Sequence, residues 1–376
     1  MNVLIAVTHL LGTGHLSRAL TLGRAFAQAG HRVMVTFGGM PAPHLHTDGV
    51  ELLQLPPLRS DGTNFTRLLN ADGNPADLEH LTKRIEALIG ALDTFGPDVL
   101  ITELFPFGRR VLSAEFLALL EHAAAMTPRP VILSSVRDIL APPSKPAKAD
   151  RAEEIVLHYY DAVLVHSDPH TTRLEQSWPV SDRMAPKLRY TGYVAPPPVR
   201  AHPDGTGKGE VLVTAGGGDV GLPLFRAAIG ATHLMPEQPF RLLVGGEGAR
   251  VTELRMLSGD NTIIEPARPD FRQMLAHAAG SISMCGYNTA LDLLRAGTPG
   301  VLIPFDAGNE VEQGLRAESL AALPALSVLK SADLTPERLA HTLRAVMAEG
   351  PRHGGEVDFD GANHAVHIAE EIAEAR

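Results

Sequence analysis

Short apolar runs alternate with longer amphipathic ones along the whole chain, and no other feature restricts the fold as tightly. The run Asn2-Val3-Leu4-Ile5-Ala6-Val7 is too short for a helix and almost wholly apolar, as a strand covered on both faces must be. The longer runs repeat apolar residues at helical spacing. The clearest starts near His15, carries Leu16, Ala19, Leu20, Gly23, Phe26 and Ala27 on one face, and stops at Gly30. This alternation builds parallel sheets with helices on both faces. Strands are expected near 2–8, 32–37, 50–55, 98–103, 130–135, 162–166 and 188–191. A second set is expected near 210–215, 240–244, 261–265, 281–284, 300–304 and 325–329.

Residues 195–209 separate the two sets. They hold Pro196-Pro197-Pro198, Pro203, Gly205, Gly207 and Gly209, a density no packed element tolerates, so they read as a linker. At about 100–200 residues per domain, a chain of this length makes two. The expected layout is α/β: two Rossmann-like, doubly wound parallel-sheet domains, 1–194 and 210–360, facing across a cleft. A short, polar last helix over 361–376 can pack back on the first domain. Such sheets bind ligands at the carboxyl ends of their strands.

The formal charge of −10 argues against nucleic acid as a partner. The single cysteine, Cys285, allows no intrachain disulfide and fits a cytoplasmic setting. The first apolar run reads as a strand rather than a signal peptide, and no run has the ~20 apolar residues needed to span a bilayer.

The segment from Ser281 to Phe305 carries the strongest site signal. A strand ends at Met284, Cys285 and Gly286 make a turn, and Asn288 and Thr289 open a helix, whose free N–H groups suit a diphosphate. Asp292 follows one turn later on the same face, where a carboxylate can take ribose hydroxyls. The polar loop Gly308-Asn309-Glu310-Val311-Glu312-Gln313 offers carboxylate and carboxamide to a pyranose. An ordinary capped turn accounts for Asn288 and Thr289, but not for Asp292, Gly297-Thr298-Pro299 and Glu312-Gln313 together. A second glycine loop, Gly216-Gly217-Gly218, lets the backbone approach a ligand. Arg268 and Gly14 complete the expected donor-binding set.

In the first half, Gly12-Thr13-Gly14-His15-Leu16-Ser17-Arg18 follows the first strand. A full G-x-G-x-x-G would need glycine at Ser17, which argues against a nicotinamide cofactor, and no other cofactor is expected. His15 at a helix N-terminus suits a general base. A carboxylate behind it would set its tautomer, and Glu103, ending the strand near 98–103, is the candidate.

These segments carry a resemblance. Residues 284–313 resemble the sugar-nucleotide signature of the GT-B glycosyltransferases, nearest to the UDP-glycosyltransferases and the MurG-like branch. Tyr159–His166 and Tyr190–Val194 resemble a bacterial group of predicted glycosyltransferases within that branch. The resemblance implies a GT-B fold and a UDP-sugar donor. It places Asn288 and Thr289 at the phosphates, Asp292 at the ribose and Glu312 and Gln313 at the sugar. It makes His15 the base and Glu103 its partner. The UDP-glycosyltransferases have histidine where this chain has Met284, so main-chain N–H groups must serve the phosphate. Retaining GT-B enzymes have two glutamates eight positions apart; the corresponding positions here are Met284 and Asp292, which points to inversion, and the helix N-terminus at Asn288 with the Gly216–Gly218 loop would stabilise the departing diphosphate without a metal ion.

Leu104-Phe105-Pro106-Phe107-Gly108-Arg109-Arg110 leaves two alternatives open. As a surface patch it can rest peripherally on the inner face of a membrane and receive a lipid-linked acceptor. Otherwise the phenylalanines are buried and the arginines bind substrate. Arg18, Phe105 and Arg109 are the expected acceptor-side residues, and 56–80, with Arg59, Asn64, Phe65 and Arg67, can line that pocket. The acceptor itself can be a small molecule, a glycan or a lipid. His44-Leu45-His46, His364 with His367, and Asp358 with Asp360 have metal-ligand spacings without a partner pattern. Two other functions share these motifs: a nucleotide-sugar hydrolase in which His15 activates water, and a non-catalytic sugar-nucleotide sensor.

Overall fold

The computed structural model describes residues 1–10, 12–43, 45–61, 64–216, 220–246, 248–307, 310–352 and 357–376. They form two compact units. One comprises Met1–Pro169, Arg173–Ala195 and Asp358–Arg376, the other His170–Thr172 and Pro196–Val357.

The first unit contains β1 (Asn2–Val7), α1 (Gly14–Gln28), β2 (Arg32–Phe37), β3 (Glu51–Gln54), β4 (Arg59–Asp61), β5 (Asn64–Leu69), α2 (Leu78–Phe95) and β6 (Val99–Glu103). It continues with α3 (Ser113–Ala125), β7 (Val131–Arg137), α4 (Pro146–Tyr159), β8 (Ala162–His166) and β9 (Leu188–Tyr190). Its main sheet is parallel, in the order β3-β2-β1-β6-β7-β8-β9. The strands lack a polar face because both faces are covered. Leu4 and Ala6 of β1 face one core cluster and Val3, Ile5 and Val7 the other. β4 and β5 form a separate antiparallel hairpin where the sequence reading has no strand.

The second unit contains β10 (Val211–Thr214), α5 (Leu222–Leu234), β11 (Phe240–Val244), α6 (Gly248–Arg255), β12 (Thr262–Pro266), α7 (Phe271–Leu275) and β13 (Gly280–Ser283). After these come α8 (Tyr287–Ala296), β14 (Gly300–Leu302), α9 (Glu312–Leu320), β15 (Leu326–Val328) and α10 (Pro336–Glu349). The sheet order β12-β11-β10-β13-β14-β15 is the doubly wound 3-2-1-4-5-6 arrangement.

The last helix, α11 (Gly361–Glu374), belongs to the first unit. The sequence reading has it polar, and the structure corrects this. Ala365, Val366 and Ala369 are buried in the same core cluster as Leu16, Ala19 and Phe26 of α1. Burying Val366 alone contributes about 1.5–3 kcal/mol. His31 Nε2 also meets Glu370 Oε1 at 3.0 Å. Among the described residues no helix is long and apolar enough to cross a membrane.

Candidate active site

In each sheet the strand order reverses beside the first strand, between β1 and β6 and between β10 and β13. Doubly wound sheets open a crevice at that point, at the carboxyl ends of the strands. His15 and Glu103 lie at the first of these points and Gly216 and Gly286 at the second, whereas Arg268 follows the edge strand β12 and Glu312 opens α9 after β14.

At the first, His15 is the second residue of α1 and Glu103 the last residue of β6. His15 Nδ1 lies 3.0 Å from Glu103 Oε1. An ionised carboxylate only accepts; it lies nearer Nδ1 than does Arg18 Nη2, at 3.2 Å, so Nδ1 carries the hydrogen and Nε2 keeps its lone pair. Glu103 is 1% exposed, whereas His15 retains 16% of its side chain in solvent. Burial pushes the imidazole down to about 3 against the Glu103 hydrogen bond, with the Arg109 and Arg18 charges adding to the fall. His15 is therefore neutral at pH 7. Burial alone would raise Glu103, but Arg18 and His15 hold its carboxyl well below the ordinary range.

Two acceptor-side expectations are corrected here. Arg18 is buried and bonds Glu103 Oε1, three residues after His15 and on the same helical face. Phe105 is 1% exposed and stacks on Phe116, with centroids 4.8 Å apart. Phe107 is likewise buried, edge-on to Trp178. Of the two alternatives for this patch, the buried phenylalanines are the observed one. Arg109 stays partly exposed and donates from Nε to the Thr8 carbonyl at 2.6 Å. In the hairpin, exposed Arg67 pairs with Asp61 at 2.9 Å. The side chains of Asn64 and Phe65, and His44, lie outside the described residues.

Sequence reasoning missed Ser135 and His166. Ser135 on β7 stands in register with Glu103 and donates to its Oε2 at 2.6 Å. His166, ending β8, meets Ser135 Oγ at 2.9 Å. A hydroxyl pair, Ser134-Ser135, in a strand apolar but for its last residue, Arg137, was the available signal.

At the second switch point, Gly286 is the N-cap of α8, and no side chain caps this helix. Asn288 is exposed and Thr289 partly so, at the open first turn. Gly216 takes a left-handed φ of +82°, and a Cβ there would meet nothing within 4 Å. Gly217, Gly218, Gly308 and Asn309 lie outside the described residues. Met284 is core, packed among the apolar side chains of its unit. Cys285 is wholly buried, and its carbonyl accepts from Arg316 Nη1 at 3.1 Å. Asp292 is 17% exposed and bonded by Arg272 Nε at 3.0 Å. Burial raises it to about 6 against the pull of Arg272. Arg268 forks onto Asp270, at 2.8 and 2.6 Å. Gln313 commits its carbonyl to the Phe305 N–H at 3.1 Å, and Glu310 Oε1 accepts from the N–H groups of Glu312 and Gln313.

Residues 220–371 match the glycosyltransferase family 28 C-terminal domain. The chain is 32% identical over 143 residues to a UDP-N-acetylglucosamine–N-acetylmuramyl-(pentapeptide) pyrophosphoryl-undecaprenol N-acetylglucosamine transferase of Brucella anthropi. That match covers 36% of this chain and 38% of the relative. The same-named protein of Brucella canis matches to the same extent. Over nearly the whole chain the structure is similar to MurG of Acinetobacter baumannii, with a TM-score of 0.63 at 17% identity and coverage of 98% and 99%. It is also similar to the glycosyltransferase VinC in complex with DTDP, with a TM-score of 0.64 at 16% identity and full coverage of both chains. The chain thus has the GT-B fold, and its residues 220–371 are similar to the glycosyltransferase family 28 C-terminal domain.

Proposed function

We propose that the protein is an inverting, metal-independent glycosyltransferase that moves a sugar from a nucleoside diphosphate sugar, a UDP-sugar, to a hydroxyl acceptor. The observation that carries this reading is the His15–Glu103 pair. It is a neutral imidazole with a bare Nε2, set by a buried carboxylate at a strand-order switch point. The acceptor hydroxyl gives its proton to Nε2 as its oxygen bonds to the anomeric carbon. The bond from that carbon to the diphosphate oxygen breaks on the opposite face, which inverts the centre. Glu103 then stabilises the imidazolium.

The departing diphosphate meets the uncapped first turn of α8 and the loop at Gly216. Main-chain N–H groups there stabilise the developing charge, so the step calls for no metal ion. Asp292 takes the ribose hydroxyls, and Glu312 with the Gln313 amide takes the sugar. The activities of the Brucella relatives and the nucleotide in the VinC complex support a nucleotide-sugar donor.

Thermal denaturation with a panel of nucleoside diphosphate sugars tests the reading. A UDP-sugar at about 100 times its Kd adds about 2.7 kcal/mol of stability. His15→Ala abolishes transfer yet leaves UDP affinity within about twofold, and a chelator leaves the rate unchanged. Stabilisation by no nucleotide, or equal loss of transfer and binding in His15→Ala, refutes it. Sugar release without an acceptor product would instead indicate hydrolysis.

A further inference from the structure

Behind His15 and Glu103 runs a line of buried polar groups that the transfer step does not use. Glu103 Oε1 is occupied by His15 and Arg18, and Oε2 accepts from Ser135 Oγ. Ser135 Oγ lies 2.9 Å from His166 Nε2, and His166 Nδ1 lies 2.9 Å from Thr191 Oγ1. Ser135, His166 and Thr191 have no solvent exposure. A buried network of this kind persists only if each hydrogen finds an acceptor.

Counting hydrogens fixes its direction. Ser135 has one, and it goes to the carboxylate. The Ser135 oxygen can then only accept, so His166 Nε2 carries a hydrogen. Burial lowers His166 to about 3, which keeps it neutral and makes Nδ1 an acceptor. The Thr191 hydroxyl must therefore donate to Nδ1, although the Gly192 carbonyl lies 2.7 Å from the same oxygen. Every hydrogen in the line points toward Glu103.

We propose that Ser135 and His166 are positioning residues for the transfer: they pin the Glu103 carboxylate in one rotamer and thereby fix His15 as its Nδ1–H tautomer. The inference rests on His15 being the base. Without the Ser135 hydrogen bond, Oε2 loses its donor from β7. The carboxylate can then rotate about its last torsion, which is a broad one. The His15 imidazole follows it and presents Nε2–H in part of the population.

The test uses long-range ¹H–¹⁵N NMR of the histidine rings in the full-length chain without substrate, together with steady-state kinetics. Wild type shows a single Nδ1–H tautomer at His15. Ser135→Ala and His166→Leu show mixed tautomers and a kcat lowered roughly 10- to 100-fold, with the donor KM within twofold. His166→Gln places an N–H near the Nε2 position and restores both readouts. Ser135→Ala removes one atom only, which guards against a folding defect in His166→Leu. An unchanged His15 tautomer in both variants, or a loss confined to KM, overturns the proposal. Transfer retained in His15→Ala would remove the base reading, while the NMR result would still decide the positioning.

Discussion

Replacing Glu103 with Gln keeps the side chain's shape and removes its charge. Three donors converge on this carboxylate: His15 Nδ1 and Arg18 on Oε1, Ser135 Oγ on Oε2. A carboxamide has only one accepting atom. With that oxygen toward Arg18 and His15, the NH2 group faces Ser135. The Ser135 hydroxyl must then turn and donate to His166 Nε2, which sends the His166 hydrogen to Nδ1 and on toward Thr191. Thr191 can pass its own hydrogen to the Gly192 carbonyl, 2.7 Å away. The line thus survives only by reversing. Removing one partner of a buried ion pair costs about 3–5 kcal/mol. Arg18 and Glu103 are both at most 5% exposed, so solvent offsets little of this. On the catalytic side, loss of the anion behind the base lowers kcat about 10²–10⁴-fold. Urea unfolding measures the first effect, steady-state kinetics the second, and histidine NMR the reversal at His166. A stability change under about 1 kcal/mol, with kcat within threefold and an unchanged His166 tautomer, would refute the reasoning.

Three further outcomes follow from the same groups. His166 is held neutral with its pKa lowered from 6.5 to about 3, so its contribution is present above pH 6.5 and lost as pH falls through about 3. Over roughly pH 4–6, His166→Gln should therefore flatten the pH dependence of unfolding by about 1.4 kcal/mol per pH unit, read by urea titration at several pH values. Asp292 has the opposite sign: its pKa is raised from 3.8 to about 6, so its contribution is present below pH 3.8 and lost as pH rises through about 6. Asp292→Asn should steepen the same profile between pH 4 and 6 by about 1.4 kcal/mol per unit and weaken UDP binding in calorimetry. Gly286→Asp adds a capping carboxylate to α8, raising stability by a few tenths of a kcal/mol while lowering nucleotide affinity at least about tenfold, measured by denaturation and calorimetry together.

The strands were legible because parallel strands in a doubly wound sheet are apolar on both faces. Runs such as Val131–Leu133 and Val211–Val213 can be little else. The hairpin of β4 and β5 was not. Arg59–Asp61 is three residues long with two charged side chains, Asn64–Leu69 mixes polar and apolar residues without alternation, and the pairing shifts register between Ser60 and Asp61. Of the candidate site, His15 and Glu103 were readable as a histidine at a helix start and a carboxylate at a strand end. Arg18 was misread because a cation beside a ligand motif suggests a ligand. Its position three residues after His15 puts it on the same face, turned to Glu103. Ser135 and His166 depend on which strands are neighbours. No local pattern says that β7 lies beside β6 and β8 beside β7. Phe105 sits in a segment whose composition suits a surface patch as well as a core, and only packing on Phe116 decides.

The second unit separates structural need from functional use at two glycines. Both helices at its switch point start on a glycine N-cap, Gly221 for α5 and Gly286 for α8, and neither has a side-chain cap. Away from that point α9 is served by the Glu310 carboxylate, at 2.8 and 3.2 Å, and α10 by the Thr335 hydroxyl, while the short α7 also lacks a side-chain cap. Gly221 has a backbone reason, since its φ is +90° and a Cβ there would lie 2.3 Å from the Ala215 side chain. Gly286 has none. Its φ of −63° and ψ of 149° suit any residue, and a Cβ would meet open space. A Ser or Asp there would stabilise the helix by a few tenths of a kcal/mol. A stabilising cap that the backbone permits and the chain forgoes leaves the α8 N–H groups for another acceptor. In the proposed reaction that acceptor is the diphosphate, whose charge grows as the sugar departs.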